Sequence, residues 1–193
     1  MINLPLILAT LSSGLFWVGW EKFSLASRVK YIFWGSALML LLESSFYAFL
    51  QYQLWSEGTA LKYLLVPQGE GVSYFVFYVA TRLFAHRLIA LFFGLLLILA
   101  IFKLNKRFKG KFFEDGEAYL AGLGLFLSGY PGGFFYIVTA MGIYLLWHLL
   151  SSIKGGVGVR LSMFNLWLPT AVVVIALSDF WLKNTALWLT LQI

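Results

Sequence analysis

Residues Leu91–Phe102 read LFFGLLLILAIF. The run holds no charge and no alternation of polar with apolar positions. A strand of a membrane barrel alternates over about ten residues, so this run is not a barrel strand. In lipid its backbone is satisfied only as a helix, where every N–H and C=O bonds within the segment. The run closes a longer apolar stretch, Val72–Phe102. Five more stretches accompany it: Leu4–Trp20, Tyr31–Tyr52, Ala118–Tyr130, Gly133–Ser152 and Leu161–Leu182. A span takes about 20 apolar residues. The sequence therefore predicts an all-α, polytopic integral membrane helical bundle of six transmembrane helices, forming a single domain over residues 1–193. The fourth stretch is short for a span. The third, at about 1.5 Å rise per residue, exceeds a hydrocarbon core of about 30 Å. It reads either as one tilted helix or as a re-entrant piece plus a helix.

Composition agrees. Of 193 residues, 61% are hydrophobic, 19% aromatic and 11% charged, against about 25% charged in soluble domains. Such a chain cannot cover a water-exposed surface, which excludes a soluble enzyme, a disordered tail and a free nucleic-acid-binding domain. With no cysteine, disulfides, thiolate metal sites and cysteine nucleophiles are excluded as well. The net charge of +6 is better read as topology than as affinity for nucleic acid.

The cations set the direction. Lys22, Arg28 and Lys30 follow the first stretch; Lys103, Lys106, Arg107, Lys109 and Lys111 follow the third; Lys154 and Arg160 follow the fifth. The opposite side carries Lys62 and Lys183. This positive-inside alternation predicts both termini outside, with the first helix retained. The Lys103–Lys111 segment is a solvated face that attracts anionic headgroups. Trp17, Trp20, Trp34, Trp55, Phe112, Phe113 and Trp181 fall near span ends and read as interfacial anchors.

Arg82 and Arg87 lie inside the third span and Glu43 inside the second. A charge at the bilayer centre costs about 2.5–3.5 kcal/mol on insertion scales, so each needs a partner. Counted from the outer ends at Tyr52 and Val72, Glu43 and Arg82 share a depth, and we expect them to pair. His86 follows Arg82 by four residues, on the same helical face, and Arg87 points about 100° away. Two readings stay open. One is a buried ion pair that fixes helix register. The other is an anion or headgroup pocket in which Arg82 and Arg87 hold phosphate and His86 carries a proton. His148 and Asp179, the latter close to Lys183, read as interfacial and solvated. Glu114, Asp115 and Glu117 crowd the start of the fourth helix, where acids suit the helix dipole. Pro169 is expected to kink the sixth span. Two histidines on distant spans make no metal site, and no cofactor is expected.

The order of features resembles the bacterial prolipoprotein diacylglyceryl transferases. After the aromatic stretch ESSFYAFLQY comes EGVSYFVF, which keeps the Gly71, Ser73 and aromatic Tyr74 of that family's outer motif. FFEDGE from Phe112 places Glu117 at the acid position of the family's next helix, and PGGFF keeps Gly133 and Phe135. Phe75 stands where the family has a functional histidine, and Pro131 where it has an arginine. The resemblance implies an inner-membrane protein of a bacterial cell envelope, with membrane phospholipid in a lateral cleft and a lipoprotein or other membrane protein as partner. Its candidate catalytic groups are His86 and Glu43. Arg82, Arg87, Gly71 and Ser73 would face the lipid headgroup.

The carboxy-terminal half also resembles prepilin peptidases. EDGEAYLAGLGLFLSGYPGG looks like their Gly-x-Gly-Asp helix start and glycine-rich helix, with Asp115 and Glu117 as a cytoplasmic acid site. Aspartyl chemistry needs two carboxylates sharing a proton, and spans one to three offer only Glu43, at the wrong depth. A third reading is a non-enzymatic scaffold subunit of a membrane complex.

Overall fold

The computed structural model describes residues 3–17, 25–58, 62, 65, 71–110, 113–114, 116–153, 163–185 and 188. Among them all regular structure is helical: α1 (Leu4–Trp17), α2 (Leu25–Glu57), α3 (Gly71–Val79), a π-helical turn (Ala80–Phe84), α4 (Ala85–Arg107), α5 (Glu117–Ser128), α6 (Gly132–Ile153), α7 (Trp167–Phe180) and a 3-10 turn (Leu182–Asn184). Among the described residues each expected apolar stretch contains a helix. The third is one continuous helix through the π turn, not a re-entrant piece followed by a separate helix.

Length divides the helices into two groups. Ser27–Glu57, Tyr74–Arg107 and Gly132–Ile153 are long and apolar enough to cross a membrane. The helices α1, α5 and α7 have 14, 12 and 14 residues, about 18–21 Å at the α-helical rise. The short helices pack on one another, and α5 is buried at every residue except Tyr119. The long helices leave most of their apolar surface outward. Leu38, Leu42, Phe46, Leu99, Leu146 and Leu150 are all exposed. In water this would be an aggregation surface; in lipid it is an ordinary helix face.

Small residues set the centre. Gly94 of α4 and Gly122 of α5 meet where the two helices cross, as small residues do between helices in lipid. Phe102 against Tyr119 at 5.6 Å, with Gly94 close to Gly122 and Phe126 further along, shows α5 running back along α4, and Phe93 meets Phe134 of α6 at 5.7 Å. Asn105 ties the connection. Its Nδ2 donates to the Phe113 carbonyl at 2.9 Å, and its Oδ1 accepts from the Phe113 N–H at 3.2 Å. Glycines with φ of 88° and 68°, Gly116 and Gly129, bracket α5 in conformations that other residues rarely adopt.

Two sequence expectations change here. The helix α7 begins at Trp167, so Pro169 lies in its first turn, where a missing N–H breaks no helical bond, and no mid-span kink results. Trp55 is no interfacial anchor. It is buried, with ring centroids 5.1 Å from Phe75 and 5.4 Å from Tyr78.

Candidate functional site: a polar cavity beyond the end of the central helix

A helix that crosses a hydrocarbon core needs about 30 Å, and α5 supplies about 18 Å. Its chain then turns through Gly129–Gly132 and leaves as α6. The space that a longer helix would have filled is a cavity of about 550 Å³. The last residues of α5 form one wall, with Leu40, Glu43 and Tyr47 of α2, His86 and Arg87 of α4, and Ser178 and Asp179 of α7 around it. Burying so many polar groups among apolar helices is costly unless they are paired, and most of them are.

The strongest pair is Arg87 with Glu43. The guanidinium Nη2 lies 2.5 Å from Glu43 Oε2, with the two side chains 24% and 16% exposed. Nη1 of the same arginine donates to the Leu40 carbonyl, so both members are held. The expected partner, Arg82, is instead exposed and does not line the cavity. The reason is the length of α2. It continues five residues beyond Tyr52, to Glu57. This moves the matching depth on the neighbouring antiparallel helix by the same amount, from Arg82 to Arg87.

The π turn Ala80–Phe84 lies immediately before His86 and Arg87. A π turn takes one residue more than an α turn and is often found at functional sites. Ser44, next to Glu43, donates its hydroxyl to the Leu83 carbonyl at 3.3 Å, tying α2 to the turn. His86 lines the cavity, and its Nδ1 is buried with no hydrogen-bond partner.

A second cluster forms the mouth. Lys183 Nζ lies 2.5 Å from Asp179 Oδ1. Asn3 Nδ2 donates to the other oxygen of Asp179, while Asn3 Oδ1 accepts from the Leu6 N–H at 3.1 Å and caps α1. One asparagine thus caps one helix and pins it to the end of another, so the start of α1 and the end of α7 lie at one end of the bundle. Asp179 and Lys183 are more exposed than the Glu43 pair, as expected at an opening.

Glu117 lies away from this cavity. It is 1% exposed. Its Oε1 accepts from Trp167 Nε1 at 3.1 Å and its Oε2 from the Glu114 N–H at 2.8 Å, while the Glu117 N–H donates to the Glu114 carbonyl at 3.1 Å. The Glu117 side chain thus satisfies a backbone donor of the turn that leads into α5, whose N-cap position is Gly116. Asp115 lies outside the described residues, and so do the side-chain surroundings at Gly71 and Ser73, whose backbone opens α3. His148 is exposed near the end of α6, stacked on Tyr144 at 6.2 Å. Among the described residues no group of His, Asp and Glu side chains has the arrangement of a metal site.

Sequence reasoning missed Tyr47, Ser128, Tyr130, Ser178 and Asn3 as cavity residues. None carries a charge, and only the shortness of α5 hinted that anything would be left open beyond it. The assembled site offers two acid–base pairs, a histidine with a free ring nitrogen and several hydroxyls. These groups suit the recognition of a charged, hydrogen-bonding group brought in among apolar helices. No protein-family model, curated protein or solved structure matches this chain.

Proposed function

We propose that the protein is an integral membrane protein of a bacterial inner membrane that holds a phospholipid headgroup in the cavity beyond α5. The observation that carries the reading is the placement of Arg87, Glu43, His86, Asp179 and Lys183 around one space of about 550 Å³ within otherwise apolar helices. Ionisable groups at that depth are rare and mark binding or transport paths. An arginine fork matches phosphate geometry, and Arg87 has the position for it.

Six spans with both termini outside are the topology that accompanies this reading. Three helices have the length to cross alone, and the three short ones complete the bundle from within. The resemblance to prolipoprotein diacylglyceryl transferases supplies the lipid class, and it implies a lipoprotein substrate presenting a thiolate. The transfer step itself has no assigned base here, because Phe75 and Pro131 occupy the positions of that family's functional histidine and arginine. What is carried over is the scaffold and the headgroup site. The peptidase reading has less support, since both Glu117 oxygens already accept bonds that hold the start of α5.

The test is bound lipid. Protein purified in mild detergent is expected to retain phospholipid by organic extraction and mass spectrometry. The Arg87→Ala, Glu43→Ala double variant, which removes the charges together, is expected to lose it. Retention of the same lipid by the double variant would sink the reading.

A further inference from the structure

Taken with their partners, the charges of the cavity cancel: Arg87 faces Glu43, and Lys183 faces Asp179. A purely anionic headgroup therefore finds no uncompensated cation. The end of α5 tips the balance the other way. A helix C-terminus carries a partial negative charge of about half a unit, from carbonyls without intrahelical donors. Here two of those carbonyls stay open for a sequence reason and a geometric one. The residue four beyond Leu127 is Pro131, which has no N–H. The N–H of Gly132 makes no bond to Ser128, and the Gly129 N–H turns back to Phe126. Among the described residues no backbone donor reaches the carbonyls of Leu127 or Ser128, and both residues line the cavity.

We propose that the headgroup taken by this cavity carries a primary ammonium, so that the ligand is a zwitterionic aminophospholipid. This inference rests on the headgroup reading above. The ammonium sits at the C-terminal end of α5, donating to the carbonyls of Leu127 and Ser128, with Glu43 and Asp179 on either side. The phosphate lies toward Arg87 and Lys183, and the unpartnered Nδ1 of His86 meets the headgroup between them. A primary ammonium has three N–H donors for these acceptors. A quaternary ammonium has none, which sets ethanolamine apart from choline headgroups.

The experiment titrates the full-length protein in detergent with short-chain phosphatidylethanolamine, phosphatidylglycerol and phosphatidylcholine, following thermal stability and intrinsic tryptophan fluorescence. The expected result is binding of phosphatidylethanolamine about tenfold tighter than either of the others, the scale of one charge at a partly buried helix end. In Asp179→Asn and in Glu43→Gln, each checked for a wild-type-like melting temperature without lipid, the preference is expected to shrink toward parity. Equal or tighter binding of phosphatidylglycerol or phosphatidylcholine overturns the ammonium site and leaves the headgroup cavity standing. A preference for phosphatidylethanolamine that survives in both variants also overturns it. Binding of none of the three lipids overturns the headgroup reading, and this inference with it.

Discussion

Gly94 and Gly122 face each other across the α4–α5 crossing so closely that a Cβ on either would lie 3.0 Å from the carbonyl oxygen of the other. At Gly122 the added atom would also meet Ile98 Cγ1 at 2.5 Å. The helix α5 is wrapped on all sides, so it has nowhere to move. Gly122→Leu is expected to destabilise the protein by about 1–3 kcal/mol, the usual cost of overpacking, read as a lower melting temperature in detergent. Gly142→Ala is the control. It meets nothing within 4 Å, and the better helix former is expected to stabilise by up to about 1 kcal/mol. Equal melting of the Gly122 variant and wild type would remove the close crossing from the account.

The Glu43–Arg87 pair makes a prediction of opposite signs. Arg87→Ala leaves a carboxylate that is 16% exposed without its cation, at an expected cost of about 1–3 kcal/mol. Adding Glu43→Ala is expected to recover most of that loss, because replacing both partners removes the stranded charge. Arg82→Ala should stay within about 0.5 kcal/mol, as exposed substitutions usually do. Unfolding midpoints of the four proteins decide the matter. A large effect at Arg82 with none at Arg87 would restore the pairing that the sequence alone suggests.

That pairing shows how far the sequence could be read. The six apolar segments are legible from hydropathy alone, and among the described residues each contains a helix, three of them long enough to cross a membrane. Helix ends are less legible, because hydropathy falls before the helix stops. The apolar stretch reads as ending at Tyr52, yet the helix continues to Glu57, with Trp55 buried against Phe75 and Tyr78. This one misplaced end moved the arginine partner by five residues. The candidate list contained His86, Arg87 and Glu43, since ionisable residues in a span stand out by type alone. The cavity did not stand out, because it is made by what α5 lacks. Asp179 and Lys183 read as a solvated pair, and they are exposed, but only the packing of α1 against α7 shows that they frame an opening.

Glu117 tests the start of α5. Its carboxylate accepts from Trp167 Nε1 and from the Glu114 N–H in a buried site. Glu117→Ala leaves both donors without this acceptor, and each buried unsatisfied group costs about 1–3 kcal/mol. Trp167→Phe removes one donor and keeps a ring beside Tyr136, so its cost is smaller. Because the two residues share a bond, their effects should not add. The double variant is expected to fall short of the sum of the singles by about 1 kcal/mol. Strict additivity in a thermal-unfolding cycle would show that the Trp167 bond contributes nothing.

The π turn predicts an unusual tolerance. Deleting one residue from a regular α-helix rotates everything beyond it by about 100° and draws it in by about 1.5 Å. A π turn already holds one residue more than an α turn, so deleting Ala80 lets Ala80–Phe84 close into α geometry with its flanks still aligned. Tyr74, Phe75 and Tyr78 then stay on Trp55, and Arg87 stays on Glu43. What is lost is the Ser44 bond to the Leu83 carbonyl, about 1 kcal/mol. Deleting Leu95 instead, within the regular part of α4, turns the Ile98 and Ile101 face away from α5 and is expected to abolish folding. Melting in detergent separates the cases: a small shift for the Ala80 deletion and no folded protein for the Leu95 deletion. Equal damage from both would mean that residues 80–84 carry no spare residue.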